Sequence, residues 1–155
     1  MRDRREFLQD VGRGGLLAAL LSSGVLSASQ AWAAERNQAA ADAKTVDEAL
    51  RALGATAPTV SEAIKLVTPE IAENGAVVPV SVTSEIPGTE AIALLIEKNP
   101  FPLVATTRIL DGTEPYISSR VKMQETSKII VLVRAKTGFF VTSKEVKVTL
   151  GGCGG

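Results

Sequence analysis

The sequence predicts an all-β protein: an immunoglobulin-like sandwich of about seven strands, preceded by an N-terminal helix and followed by a flexible glycine-rich C-terminal arm. Three observations predict it. From Thr59 onward, short runs rich in Val, Ile and Thr alternate in polarity and are broken by Gly, Pro, Asn and Asp. Ahead of them, an alanine-rich stretch carries apolar residues at spacings of three and four. Behind them the chain ends Gly151-Gly152-Cys153-Gly154-Gly155, which can add nothing to a core. An open β-barrel is the alternative arrangement of the same strands.

Residues 1–33 read as an export leader. Arg4 and Arg5 precede Phe7-Leu8, and a moderately apolar run containing Gly and Ser extends from Gly14 to Ala28. Ala31 and Ala33 then stand at the two positions a signal peptidase reads. The order R-R-x-F-L is that of the twin-arginine route, which exports folded proteins, so the predicted location is the periplasm. Asp3 and Gln9 depart from the usual Ser or Thr and Lys of that motif. No cysteine follows the cleavage site, which argues against a lipoprotein leader. An amphipathic N-terminal helix is the alternative reading. Removal of the leader leaves about 120 residues, enough for one domain with a core that needs no disulfide staples.

Residues 34–58 form the predicted helical segment. Ala40, Ala43, Val46, Leu50 and Leu53 make one stripe from Asn37 to Leu53, closed by Gly54 as a C-cap and by Pro58. Residues 59–150 form the sandwich. Its first strand is 64–68, although Thr59 with Glu62 would also suit the cap of a short helix. Strand 76–83 follows the turn Glu73-Asn74-Gly75, and strand 91–97 follows Ile86-Pro87-Gly88. Strand 103–110 follows Asn99-Pro100-Phe101-Pro102, and strand 117–124 follows Asp111-Gly112. Strands 128–136 and 139–150 flank Lys136-Thr137-Gly138, a hairpin signal. Pro79 cannot donate to a ladder, which predicts an edge or bulged strand there.

Composition removes most enzyme chemistry. The chain has no histidine, so Ser/His/Asp, Cys/His and His-metal sites are excluded. One cysteine excludes Cys-cluster metals and an internal disulfide, and no cofactor or metal is expected. Seventeen basic and seventeen acidic side chains cancel, so no net charge draws the chain to nucleic acid or membrane. The charges are uneven, however: 8 basic and 4 acidic residues lie from Arg108 onward. Arg120, Lys122, Lys128, Arg134, Lys136, Lys144 and Lys147 are either a solvated sheet face or a rim that attracts anions.

The arm, residues 151–155, is the most informative feature. Five residues reach about 17 Å when extended, and Cys153 is its only side chain beyond hydrogen. Free cysteines are usually buried, and nothing in the sequence activates this one as a nucleophile. Its placement suits a handle that other active sites grip, with Gly151, Gly152, Gly154 and Gly155 admitting it to narrow clefts. Three other readings stay open: an intermolecular disulfide tether, a disordered remnant, and a ubiquitin-like sulfur carrier ending in Gly-Gly.

Four segments carry a resemblance to a known family: IAENGAVVPVSV from Ile71, EKNPFPLVA from Glu97, ISSRVKMQETS from Ile117, and KEVKVTLGGCGG at the end. Together they resemble the SoxY family, the sulfur-carrier subunits of bacterial thiosulfate oxidation, over essentially the whole mature chain. The resemblance implies a covalent carrier, not an enzyme, with thiosulfate-derived sulfur held on Cys153. It implies a heterodimer with a SoxZ-like β-sandwich subunit. It further implies passing contacts with a c-type cytochrome conjugating complex, a dimanganese sulfate-releasing hydrolase and a sulfane dehydrogenase.

Overall fold

The computed structural model describes residues 37–149. Two short helices open this region: α1, Gln38–Asp42, and α2, Val46–Ala52. Nine strands follow: β1 (Thr59–Val60), β2 (Ile64–Val67), β3 (Ile71–Ala72), β4 (Val78–Ser84), β5 (Thr89–Ile96), β6 (Leu103–Arg108), β7 (Tyr116–Val121), β8 (Ser127–Ala135) and β9 (Gly138–Val148). They make two sheets. The larger runs β1-β9-β8-β5-β6, with β3 also paired to β9, and the smaller runs β2-β4-β7.

The predicted sandwich is therefore present, and its seven strands are β2 and β4–β9. The sequence reading missed β1 and β3. Each contributes two residues, lying parallel to the same strand: Thr59 and Val60 opposite Phe140 and Val141, Ile71 and Ala72 opposite Lys147 and Val148. Residues 64–67 are strand, not the capped helix considered for them.

The core lies between the sheets. Ile64, Val78, Val80, Val82 and Val121 of the small sheet meet Ile92, Leu94, Ile96, Ile129, Val131, Val133 and Val146 of the large one. Fully burying each such side chain contributes about 1.5–3 kcal/mol. A second cluster covers the other face of the large sheet, where Ala43, Ala49 and Ala55 pack with Ala93, Leu95 and Leu132. β5 is thus apolar on both faces, which is why it reads as a near-continuous hydrophobic run.

The single helix expected over Asn37–Leu53 is instead two helices. Thr45 is extended, with ψ 155°, and its hydroxyl accepts from the Glu48 N–H while the Glu48 carboxylate accepts from the Thr45 N–H. This capping box starts a new helix and breaks the old one at Ala43-Lys44. Asn37 caps α1 and donates its amide to the Ala52 carbonyl at the end of α2, 2.6 Å away. The Gly54 cap is as predicted. With φ +86°, Gly54 donates to the Arg51 carbonyl while Ala55 donates to that of Leu50, the paired bonds of a Schellman ending.

The expectation for Pro79 needs correcting. β4 is the middle strand of its sheet, with no bulge against either neighbour. Amides at odd positions of β4 face β2, as the bond from Glu85 N–H to the Ala63 carbonyl fixes. β2 pairs no further than Val67 with Ser81. The nitrogen of Pro79 therefore points where β2 has already ended, so β4 is an edge at this one position.

Candidate functional site

Arg4, Arg5, Ala31 and Ala33 of the leader, and Gly151, Gly152, Cys153, Gly154 and Gly155 of the arm, lie outside the described residues. What the fold supplies is the root from which the arm departs. β9 runs antiparallel to β8, which ends its pairing at Ser127 opposite Val146. Lys147, Val148 and Thr149 project beyond that point. On one side they are held by β3 and its flanks: Lys147 donates to the Glu70 carbonyl at 2.9 Å and Thr149 to that of Ala72 at 3.1 Å.

Three loops gather at this end of the sandwich: 73–77 between β3 and β4, 97–102 between β5 and β6, and 122–126 between β7 and β8. Their own backbone groups are tied together. Asn74 accepts the Ala76 N–H on its side-chain oxygen at 2.8 Å, closing the first loop as an Asx turn. The Gly75 carbonyl accepts from Met123, 2.7 Å away, and the Met123 side chain is completely buried. Asn99 donates to the Lys122 carbonyl at 2.8 Å and accepts from Gln124 at 3.3 Å. The Lys98 N–H reaches the Ser127 hydroxyl at 3.0 Å.

Two threonines join this platform to the arm's root. Thr126 accepts the Val148 N–H on its hydroxyl oxygen at 3.0 Å, and Thr149 donates its hydroxyl to the Glu73 carbonyl at 3.0 Å. Sequence reasoning singled out the Glu73-Asn74-Gly75 and Asn99-Pro100 turns as strand connections; in the fold they surround the departure point of the arm. It missed Thr126 and Thr149 altogether, since each partner lies more than 20 residues away.

The basic residues of the second half do not form one patch. Arg120 lies on β7 of the small sheet, opposite Pro79, while Lys128, Arg134, Lys144 and Lys147 belong to the large one. Arg134 pairs with Glu90 at 3.2 Å, and the Lys144 ammonium donates to the Thr68 carbonyl at 3.1 Å. A shallow depression beside the root is lined by Glu70, Ile71, Lys144, Glu145 and Lys147, so its charges balance. Among the described residues no group of three or more acidic or cysteine side chains could hold a metal ion, and no helix is long and apolar enough to cross a membrane.

The family model "Sulfur oxidation protein SoxY" matches residues 49–153. The chain belongs to the SoxY family. The match runs through both short parallel strands, all three root loops and position 153 itself. Among solved structures, the sulfur carrier protein SoxY from Chlorobium limicola f thiosulfatophilum is 38% identical, with a TM-score of 0.63, over 68% of this chain and 97% of that one. A superoxide reductase (neelaredoxin) from Ignicoccus hospitalis has a TM-score of 0.50 at 18% identity, over 56% of this chain and 80% of that one, a likeness of fold alone. No curated protein sequence matches significantly.

Proposed function

We propose that this SoxY-family chain is a periplasmic covalent carrier of sulfur intermediates in thiosulfate oxidation, with the thiol of Cys153 as the point of attachment. The observation that carries this reading is a sole thiol four residues beyond Thr149, on a segment otherwise made of Leu150 and glycines, in a chain whose family match reaches residue 153. A multi-step oxidation of sulfur needs its intermediate kept out of bulk solvent while it visits several catalysts, and tethering raises its effective concentration at each.

The chemistry assigned to the thiol balances as follows. The Cys153 thiol and thiosulfate join through a new S–S bond, losing one proton and two electrons; a c-type cytochrome complex is the acceptor. Water then attacks the terminal sulfonate sulfur, sulfate leaves, and a persulfide stays on Cys153; a dimanganese hydrolase supplies that step. A sulfane dehydrogenase is the class of enzyme that would oxidise the remaining sulfur. This chain contributes no catalytic group to any of these steps. Its partner in the resting complex is a SoxZ-like sandwich subunit, exported with it on the twin-arginine leader.

Intact mass spectrometry of protein from thiosulfate-grown cells, with and without reductant, tests the reading. A carrier gives reductant-labile additions of sulfur or thiosulfate mass on the C-terminal peptide. An exported module whose cysteine serves only as an intermolecular tether gives dimer mass and no such addition, and that result would overturn the carrier.

A further inference from the structure

We propose that the hydroxyls of Thr126 and Thr149 are a clamp that fixes the pivot of the arm at residue 149, making the arm a ruler of set length. The inference uses the carrier reading only to say what the ruler is for; the clamp itself is a statement about two hydrogen bonds.

Backbone amides along β9 alternate in direction, and those of Lys147 and Thr149 go to the β3 side, to the carbonyls of Glu70 and Ala72. The Val148 N–H therefore faces the β8 side. β8 has stopped pairing at Ser127 opposite Val146, so no strand carbonyl is there to receive it. The Thr126 hydroxyl takes that place at 3.0 Å. Without it the end of β9 would be held only by a two-residue strand on one side, and strand ends held on one side fray. On the β3 side Thr149 adds a further bond, from its hydroxyl to the Glu73 carbonyl at 3.0 Å. The last three described residues are thus gripped from both edges, by loops that are themselves tied through Met123, Asn99 and Gln124.

The consequence is geometric. From residue 149 to Cys153 there are four steps, about 14 Å at full extension. If the grip failed back to Val146, the same thiol would sweep three residues further, about 10 Å more. A fixed pivot demands that any enzyme served by Cys153 bring its reactive centre within that shorter reach. Such an enzyme must approach the end of the sandwich that carries loops 73–77 and 122–126, to which residues 148 and 149 are bonded. A longer, looser leash would also dilute the thiol at each site.

The test is a pulsed electron-spin distance measurement on the full mature chain, with nitroxides on Cys153 and on Asp111→Cys, an exposed loop position at the opposite end of the sandwich. Removing both hydroxyls while keeping their shape, Thr126→Val with Thr149→Val, should broaden the distance distribution and extend its long edge by up to about 10 Å. Thr126→Ser with Thr149→Ser should restore the parent distribution. An unchanged distribution in the valine pair overturns the clamp. The parent chain gives a second reading that needs no variant: the Val148 amide should exchange with solvent as slowly as a ladder amide, and exchange at the rate of an open chain also overturns it. Neither result depends on sulfur being carried, so failure of the clamp and failure of the carrier are separate outcomes.

Discussion

The side-chain amide of Asn99 donates to the carbonyl of Lys122 across 2.8 Å, pinning the β5–β6 loop to the β7–β8 loop. The same side chain accepts from the Gln124 N–H, so one residue satisfies two backbone groups of a loop that has no ladder partner. Both bonds lie at the exposed surface, so in Asn99→Ala water replaces the lost side chain and the cost is that of the tie between the loops. It should destabilise the domain by about 0.5–1.5 kcal/mol, read as a lowered denaturant midpoint with unchanged slope. Asn99→Asp keeps the acceptor for Gln124 and sets a carboxylate against the Lys122 carbonyl, so it should not recover the loss.

Leu94 and Leu95 are neighbours in β5, both essentially inaccessible, yet they belong to different clusters. Either change to Ala should cost about 2–5 kcal/mol. Leu94→Ala should loosen contact between the two sheets. Leu95→Ala should loosen the helices on the outer face, seen as faster amide exchange at Ala49 and Leu53. Equal exchange at those amides in the two variants would contradict the two-cluster description.

β5 also explains what could and could not be read from the sequence. Strands buried on one face carry alternation, as β4 does, and declare themselves. β5 is buried on both faces and was found by its apolar run and bounding turns. β1 and β3 were invisible because two residues carry no period; they exist because β9 offers the edge turned away from β8, β1 beside Phe140 and Val141 and β3 beside Lys147 and Val148. The break between α1 and α2 was legible, since Thr45 and Glu48 have capping-box spacing, but the stripe through Ala43 and Val46 outweighed it. At the root of the arm, Asn74 and Asn99 announced turns, whereas their place around Thr149 is a property of the assembled sheets. The arm is an expectation from composition alone, and its residues lie outside the described ones.

Pro79 and Ser81 make a paired prediction from that same geometry. The nitrogen of Pro79 faces the side that β2 does not reach, so Pro79→Val should change stability by no more than about 0.5 kcal/mol. Ser81, two residues on, stands opposite Val67 within the ladder. Ser81→Pro removes a donor there and should cost about 3 kcal/mol or more. Comparable midpoints for the two variants in urea would refute the register.

The leader makes a prediction about delivery. If Arg4 and Arg5 direct the chain to the twin-arginine route, replacing both with Lys preserves charge but removes the motif, and unprocessed precursor should accumulate in the cytoplasm. Undiminished mature protein in the periplasm after fractionation would remove that route from the proposed function while leaving the carrier chemistry untouched.

Acid should unseat α2 through one carboxyl. The backbone amides of Lys44 and Thr45 both donate to Glu48, at 2.9 and 3.2 Å, and those bonds, the Lys44 one first, hold its carboxyl below the usual glutamate range. The folded chain therefore binds this proton less tightly than the unfolded chain does. Stability from the capping box is fully present above the ordinary glutamate range and is lost as pH falls through the depressed value. Because Glu48 is exposed, water and salt screen the effect, so the helix rather than the sandwich should register it. Glu48→Gln keeps an acceptor but removes the titration. Helix-sensitive amide exchange at Ala49 and Arg51, followed from neutral pH into acid and corrected for intrinsic rates, should rise in the parent chain and stay flat in the variant. Parallel curves for the two proteins would mean that some other carboxylate governs the acid response of α2.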